Sequence, residues 1–187
     1  MVSSAPEPTL YIAFLRGINV GGHVAKMERL RALFGELGCT EVRSYIQSGN
    51  IFFQTTEADR AALTHQIEQH LAEALGYEVP VFLRTIAEVE QLLLLDPFRQ
   101  VEVTPETRLF IIFTSEPLPA DLALPLYSPK RDFAIVQTMP GAAFVVLRLI
   151  DGRAGNPAAF IEKTFKVKAT ARFFGTTKKI LEAAKSS

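Results

Sequence analysis

The chain is poor in cysteine, and this limits where it can work. It has one cysteine, Cys39, and no tryptophan among 187 residues. A single cysteine cannot form an intramolecular disulfide, so a reducing compartment, the cytoplasm, is expected. A reactive thiol needs an activating neighbour, and the sequence around Cys39 offers none, so this cysteine is predicted to be structural.

The chain also lacks net charge and long apolar runs. Its 20 basic and 20 acidic residues cancel, whereas proteins dedicated to duplex nucleic acid are usually basic, because phosphate contacts release counterions. Apolar runs such as AFVVL are far too short to cross a bilayer, and the MVSSAPEPT start has no signal-peptide pattern. We therefore expect a cytoplasmic protein with no membrane partner, and nucleic acid is not favoured.

Recognised cofactor, metal and catalytic motifs are missing as well. Gly17 to Gly22 have P-loop spacing, but His-Val follows instead of Lys and Ser or Thr, and G-x-G-x-x-G does not occur. His65 and His70 would point about 140° apart on a helix, so they cannot hold one metal. Neither a Ser-His-Asp order nor a G-x-S-x-G elbow is present. We expect no metal and no cofactor, and the sequence leaves open whether the chain is an enzyme.

What the first half does contain is a clear order of secondary structure. The pattern predicts β-α-β-β-α-β, the ferredoxin-like order, in an α+β fold. The predicted segments are a strand at 9–16, a helix at 26–38, strands at 41–47 and 50–55, a helix from a Thr56 cap with Asp59 in third position to about Leu75, and a strand at 79–84.

The second half predicts a further α/β part. Thr85 and Glu88 have the spacing of a capping box for a helix that reaches Leu95. Further segments are a strand at 108–113, a hairpin of 133–138 with 143–150, a helix from Asn156-Pro157 to about Lys166, and a helix from about Thr177. The predicted organisation is a flexible tail at 1–8, a ferredoxin-like subdomain at 9–96 and an α/β subdomain at 97–187, separate or interwoven with the first.

Two polar glycine loops, RGINVGG at 16–22 and QSGN at 47–50, follow the first strand and precede the third. In a ferredoxin-like sheet these strands are adjacent and antiparallel, so the loops should meet at one edge, where the first helix also begins. Cations, amides, a hydroxyl and glycine backbone suit a phosphate or carboxylate. The predicted anion-binding residues are Arg16, Asn19, Gly21, Gly22, Lys26, Gln47, Ser48 and Asn50. The alternative is that the glycines only turn the chain.

Several other polar residues allow both a functional and a purely structural interpretation. His23, beside the loop, could act as an acid or base or could be a solvated loop residue. Asp151 and Arg153 lie in an Asp-Gly turn before a helix start and could reach the glycine loops, as could Arg172. The later lysines form either a basic face or a solvated one; they are Lys163, Lys166, Lys168, Lys178 and Lys179.

Two further function classes remain open. A ferredoxin-like sheet could bind RNA by stacking bases on Tyr45, Phe52 and Phe53, although NIFFQT lacks the Arg/Lys-Gly-Phe run of RNA-recognition strands. The proline-rich stretch at 116–129 could instead be the contact loop of a structural or oligomeric interaction protein. The anion-binding hypothesis fails if Arg16 and Asn50 point to opposite sides of the sheet.

LRGINVGG, the KM at the next helix start and YIQSGNIFF together resemble an uncharacterised bacterial family, domain of unknown function family 1697. The resemblance covers nearly all of residues 9–185. It implies a ferredoxin-like part interwoven with a second α/β part, and it implies no established reaction. Family members carry an Arg-Asn-Trp-Asn-Thr-like stretch before the last helix, where this chain has RFFGTTKK. Arg172 and Thr176 correspond, but the Trp and both Asn are replaced, which puts the family role of this stretch in doubt here.

Overall fold

The structure, a computed structural model, describes residues 7–186. Of the predicted flexible tail at 1–8, residues 1–6 lie outside the described residues. The chain forms two compact units: the first extends to Val89 and takes up the chain again from Ala183, and the second comprises Glu90–Glu182. Both units combine an antiparallel sheet with helices, which confirms the predicted α+β class.

The first unit has the predicted order β-α-β-β-α-β. Its elements are β1 (Thr9–Leu15), α1 (Met27–Glu36), β2 (Thr40–Tyr45), β3 (Asn50–Thr55), α2 (Arg60–Leu75) and β4 (Val81–Thr85), followed by α3 (Ile86–Leu94). The strands lie in the order β2-β3-β1-β4, and each neighbouring pair is antiparallel. β1 and β3 are therefore central and adjacent, as the loop argument requires.

Alternating side chains of this sheet form a core with α1 and α2. Ala13, Ile51 and Phe53 point to one face and are fully buried, because successive strand residues face opposite sides. Phe34 of α1 packs against Phe53 with ring centroids 5.1 Å apart, and Tyr11 stacks on the same ring at 5.8 Å. Aromatic packing thus anchors the two central strands, whose other ends, at Leu15 and Asn50, lead into the two loops.

The second unit is built on a five-stranded antiparallel sheet in the order β6-β7-β8-β5-β9. Its elements are β5 (Thr107–Thr114), β6 (Leu126–Tyr127), β7 (Phe133–Met139), β8 (Ala142–Arg148), α4 (Pro157–Phe165), β9 (Ala169–Phe173) and α5 (Phe174–Lys185), whose last residues join the first unit. The predicted hairpin is β7 with β8. Apolar residues of the sheet pack against Ile161 of α4 in a separate core.

Helix ends predicted from side-chain chemistry are mostly present. The Thr85 amide donates to Glu88 Oε2 at 2.7 Å, and the Glu88 amide donates to Thr85 Oγ1 at 3.2 Å, which confirms the capping box. Asn156 caps α4 by accepting from the Ala159 amide at 3.0 Å.

None of the helices in the described part of the chain has the length and apolarity needed to span a membrane.

Several predicted boundaries differ from the structure by two or more residues, among them boundaries of α2, β2 and α5. Asp59, not Thr56, caps α2: its carboxylate accepts from the Ala62 amide at 3.0 Å, and the helix begins at Arg60. β2 stops at Tyr45 rather than continuing to residue 47, because the chain turns there with Ile46 at a φ of +51°. α5 begins at Phe174, three residues before the predicted start.

The cap of α2 gives a direct stability test. Replacing Asp59 by Ala removes the only side-chain acceptor for the Ala62 amide within the described residues, so the free energy of unfolding should fall by about 1 kcal/mol. The matched control is Thr56→Ala, which removes no cap and should leave stability unchanged. Urea unfolding of both variants checks this, and equal losses would contradict the assignment of the cap.

Candidate functional site

The two glycine loops meet at the edge of the first unit's sheet, as predicted. β1 ends at Leu15, and β3 begins at Asn50, which pairs with Phe14. The Leu15 amide donates to the Gly49 carbonyl at 2.8 Å, so the pairing continues one step into the QSGN loop. The RGINVGG loop therefore leaves the sheet directly beside the QSGN loop.

Asn19 ties the two loops together. Its side-chain Nδ2 donates to the Gln47 carbonyl at 3.0 Å, and its Oδ1 accepts from the Ala25 amide at 2.9 Å. The residue has a φ of +59°, a left-handed conformation that asparagine tolerates better than most residues. One amide group thus links the middle of the first loop to both the second loop and the segment that leads into α1.

The side chain of Asn50 stabilises the QSGN loop by hydrogen bonds. Its side chain is fully buried, and Nδ2 donates to the Tyr45 carbonyl at 3.2 Å and to Ser48 Oγ at 2.9 Å. Gly49 has a φ of +74°, and a β-carbon there would lie 3.0 Å from Leu15 Cβ. This loop consequently needs both the asparagine and the glycine in order to close against β1.

Ile46 marks an unusual turn at the start of the same loop. A φ of +51° is unfavourable for a β-branched residue, and its side chain is 48% exposed, so little burial compensates for the conformation. The adjacent hydrogen bonds of Asn50 and Asn19 reach Tyr45 and Gln47 on either side of it. The loop geometry is therefore imposed by these two asparagines and not by the preference of Ile46.

Groups that could contact a ligand remain exposed around this junction. The Gly21 and Gly22 amides and the Lys26 and Gln47 side chains make no hydrogen bond or ion pair with the described residues. Lys26 precedes α1, whose first turn has no side-chain cap. Arg16 is half-buried, and its backbone amide donates to the Pro80 carbonyl at 3.0 Å. Cations and backbone N–H donors are thus present where the loops meet, whereas the side chains of Asn19 and Asn50 are engaged in hydrogen bonds within the protein.

Sequence reasoning missed one residue at this edge, Tyr77. Its hydroxyl is buried and has no hydrogen-bond partner among the described residues. The His23 ring lies edge-on to the Tyr77 ring, with centroids 3.8 Å apart. His23 is therefore anchored by an aromatic contact, and nothing in the spacing of these two residues signals it.

The other titratable candidates are engaged elsewhere. Burial raises the pKa of the Cys39 thiol to about 11, so it stays protonated and unreactive near neutral pH. His70 Nε2 lies 2.9 Å from Glu36, and this hydrogen bond lowers the pKa of the glutamate. Among the described residues, no group of three or more histidine, cysteine, aspartate or glutamate side chains could hold a metal ion.

The three uncertain residues of the later sequence lie in the second unit. Asp151 occupies a tight turn, with a φ of +50°, and this turn is closed by hydrogen bonds between Ile150 and Arg153. Arg172 is on β9, where Nη1 donates to Thr170 Oγ1 and the Ala171 carbonyl at 3.0 and 2.9 Å. Burial lowers the pKa of Arg172 to about 10.

Two of the three aromatic rings proposed for base stacking are not accessible, whereas Tyr45 is partly exposed. Phe53 is buried against the helices, and Phe52, on the opposite face of the sheet, is 1% exposed. The Arg43 guanidinium lies 5.5 Å from the Phe52 ring centroid and donates to the Ala183 and Ala184 carbonyls at 3.1 and 2.9 Å. A base cannot stack on either ring without displacing this packing, so the geometry does not favour the RNA hypothesis.

Comparison with known proteins identifies a family and a similar solved structure. The profile of the family described as Protein of unknown function (DUF1697) matches residues 9–141. The structure of the conserved bacterial protein SP0830 from Streptococcus pneumoniae is 25% identical, with a TM-score of 0.73, and the alignment covers 96% of this chain and 100% of that one. A search of curated proteins found no match. These similarities support the fold and assign no activity.

The bridge between the loops can be tested at Asn19. Asn19→Gly keeps the left-handed backbone but removes both side-chain bonds, so stability should fall by about 1 kcal/mol and the Ala25 amide should exchange faster. Hydrogen exchange followed by NMR measures this, with Val20→Ala as the matched control in the same loop. Unchanged protection of Ala25 in Asn19→Gly would show that the side chain does not hold the loops.

The close packing of the QSGN loop against Leu15 predicts that alanine substitution destabilises the chain more at Gly49 than at Gly22. Gly49→Ala and Gly22→Ala both place a side chain at positive φ, +74° and +86°, which costs about 1–2 kcal/mol in either case. Only at Gly49 does the new methyl group also meet Leu15, whereas Gly22 faces open space. Urea unfolding should show the larger loss for Gly49→Ala, and equal losses would contradict this packing.

Proposed function

The chain belongs to the family described as Protein of unknown function (DUF1697), and we propose that it binds a small anionic molecule, a phosphate or a carboxylate, where its two glycine loops meet. The observation that carries the proposal is the Asn19 bridge between the loops. Because this bridge restrains the backbone on both sides of Gly21 and Gly22, their unpaired amides are held in place before a ligand arrives. Preorganised donors lose less entropy on binding.

The charges around the loops favour an anion. The segments at 16–26 and 45–50 contain Arg16 and Lys26 but no Asp or Glu, although the whole chain is electrically balanced. A cationic neighbourhood with exposed backbone N–H groups attracts phosphate or carboxylate oxygens. His23 in the same loop would add a further positive charge when it is protonated.

The proposed roles of the eight residues fall into two groups. Arg16 and Lys26 neutralise the anion, the Gln47 amide and the Ser48 hydroxyl orient it, and Gly21 and Gly22 offer backbone amides. Asn19 and Asn50 act as positioning residues, because their side chains are engaged in hydrogen bonds that shape the loops. A cytoplasmic location is part of this proposal and fits a chain with one buried, unreactive cysteine.

The proposal predicts stabilisation by anions. Inorganic phosphate or citrate should raise the melting temperature, with about 2.7 kcal/mol of added stability at a hundred times the dissociation constant, and glucose should not. Arg16→Ala and Lys26→Ala should each weaken binding about tenfold, since each removes one charge-assisted contact. Thermal unfolding across a ligand series, with ionic strength held constant by NaCl, gives the dissociation constants.

The matched control is Lys179→Ala, which removes an exposed cation of α5 with no partner among the described residues. This variant should respond to the anions as the unmodified chain does. The proposal is overturned if neither anion stabilises the chain beyond NaCl, or if all three variants lose the response equally, because the effect would then be one of general charge.

A further inference from the structure

The second unit contains a cavity of about 550 Å³ that the proposed function does not use. It lies between the turn before β7, the tight turn after β8 and the start of α4. Its lining combines both signs of charge with an apolar wall. The lining residues that matter for its chemistry are Ser128, Lys130, Asp132, Asp151, Arg153 and Phe160.

Asp132 is the buried charged group of this cavity. Only 8% of the residue is exposed, and its Oδ1 accepts a hydrogen bond from Ser128 Oγ at 2.6 Å. Its Oδ2 makes no hydrogen bond with the described residues and is not sealed from solvent as the Tyr77 hydroxyl is, so a molecule in the cavity can reach it. A ligand with an N–H or O–H donor would complete its coordination.

The position of Asp132 is fixed from several sides. Its amide donates to Ser128 Oγ at 3.1 Å, and its carbonyl accepts from the Arg148 amide at 2.7 Å. Oδ2 lies against Gly155, where a β-carbon would overlap it. The carboxylate therefore occupies space that only a glycine leaves open, just before the Asn156 cap of α4.

Two cations line the same cavity without partners. The side chains of Lys130 and Arg153 make no ion pair or hydrogen bond with the described residues. Arg153 closes the tight turn, in which its amide donates to the Ile150 carbonyl at 2.9 Å and its own carbonyl accepts from the Ile150 amide at 3.0 Å. The Phe160 ring packs edge-on against Phe133 at 5.4 Å and supplies an apolar wall.

We propose that this cavity binds a small zwitterion with an apolar body, in its simplest form an apolar α-amino acid. The ammonium group donates to Asp132 Oδ2, the carboxylate lies between Lys130 and Arg153, and the apolar side chain contacts Phe160. The four charged residues of the lining balance, which favours a ligand of zero net charge over a plain anion or cation.

The test is isothermal titration of the 187-residue chain with L-phenylalanine and L-leucine, and with two analogues of the former. The analogue 3-phenylpropionate lacks the ammonium group, and 2-phenylethylamine lacks the carboxylate. An α-amino acid should bind, and each analogue should bind at least about tenfold more weakly than L-phenylalanine, because each leaves one charged partner unsatisfied. Asp132→Asn, which keeps the shape of the side chain, should weaken binding of both amino acids similarly.

Two further variants locate the site. Gly155→Ala places a methyl group against Asp132 Oδ2 and should abolish binding, whereas Asp121→Asn, at an exposed position outside the lining, should bind as the unmodified chain does. Circular dichroism confirms folding of each variant. The proposal is overturned if neither amino acid binds, if the analogues bind equally well, or if a folded Asp132→Asn retains full affinity. These outcomes do not depend on the glycine-loop site.

Discussion

An antiparallel strand pair must bring the end of one strand beside the start of the other, and this constraint places the candidate site. In the β1–β3 pair, Thr9 lies opposite Thr55 and Phe14 lies opposite Asn50. The loop that follows β1 and the loop that precedes β3 are therefore neighbours in space, although they lie far apart in sequence. Phe34 and Tyr11 pack on Phe53 and hold this strand pair in register. If the pairing slipped by one residue, the side chains of β3 would face the opposite side of the sheet and Phe53 would leave the core.

Within the loops, the side chains that look most like ligands serve mainly to shape the backbone. A loop that turns sharply leaves backbone carbonyls that need donors, and Asn19 and Asn50 supply them. The asparagine side chains therefore restrain the backbone, while the amides of Gly21 and Gly22 and the charge of Lys26 face outward. Asn19 combines both requirements, since it tolerates a positive φ and also has a side chain that reaches Gln47 and Ala25.

Local chemistry explains which features could be predicted from the sequence. The capping box of Thr85 and Glu88 and the Asn156 cap depend on a few adjacent residues, and both are present. The meeting of the loops followed from strand order alone. The predicted Thr56 cap failed because Asp59, a residue type that caps helices better than Thr, lies three residues later and begins the helix there. Contacts between distant residues, such as His23 with Tyr77 or Asp132 with Gly155, leave no local pattern.

The central claim is that the paired glycine loops offer backbone amides to an anion, and NMR titration of the isotopically labelled chain with inorganic phosphate tests it most directly. The account predicts that the Gly21 and Gly22 amide resonances shift in a saturable way with one shared dissociation constant, while titration with NaCl leaves them in place. It would be contradicted if these two resonances stayed fixed in phosphate, or if they moved equally in NaCl, because the loops would then only turn the chain.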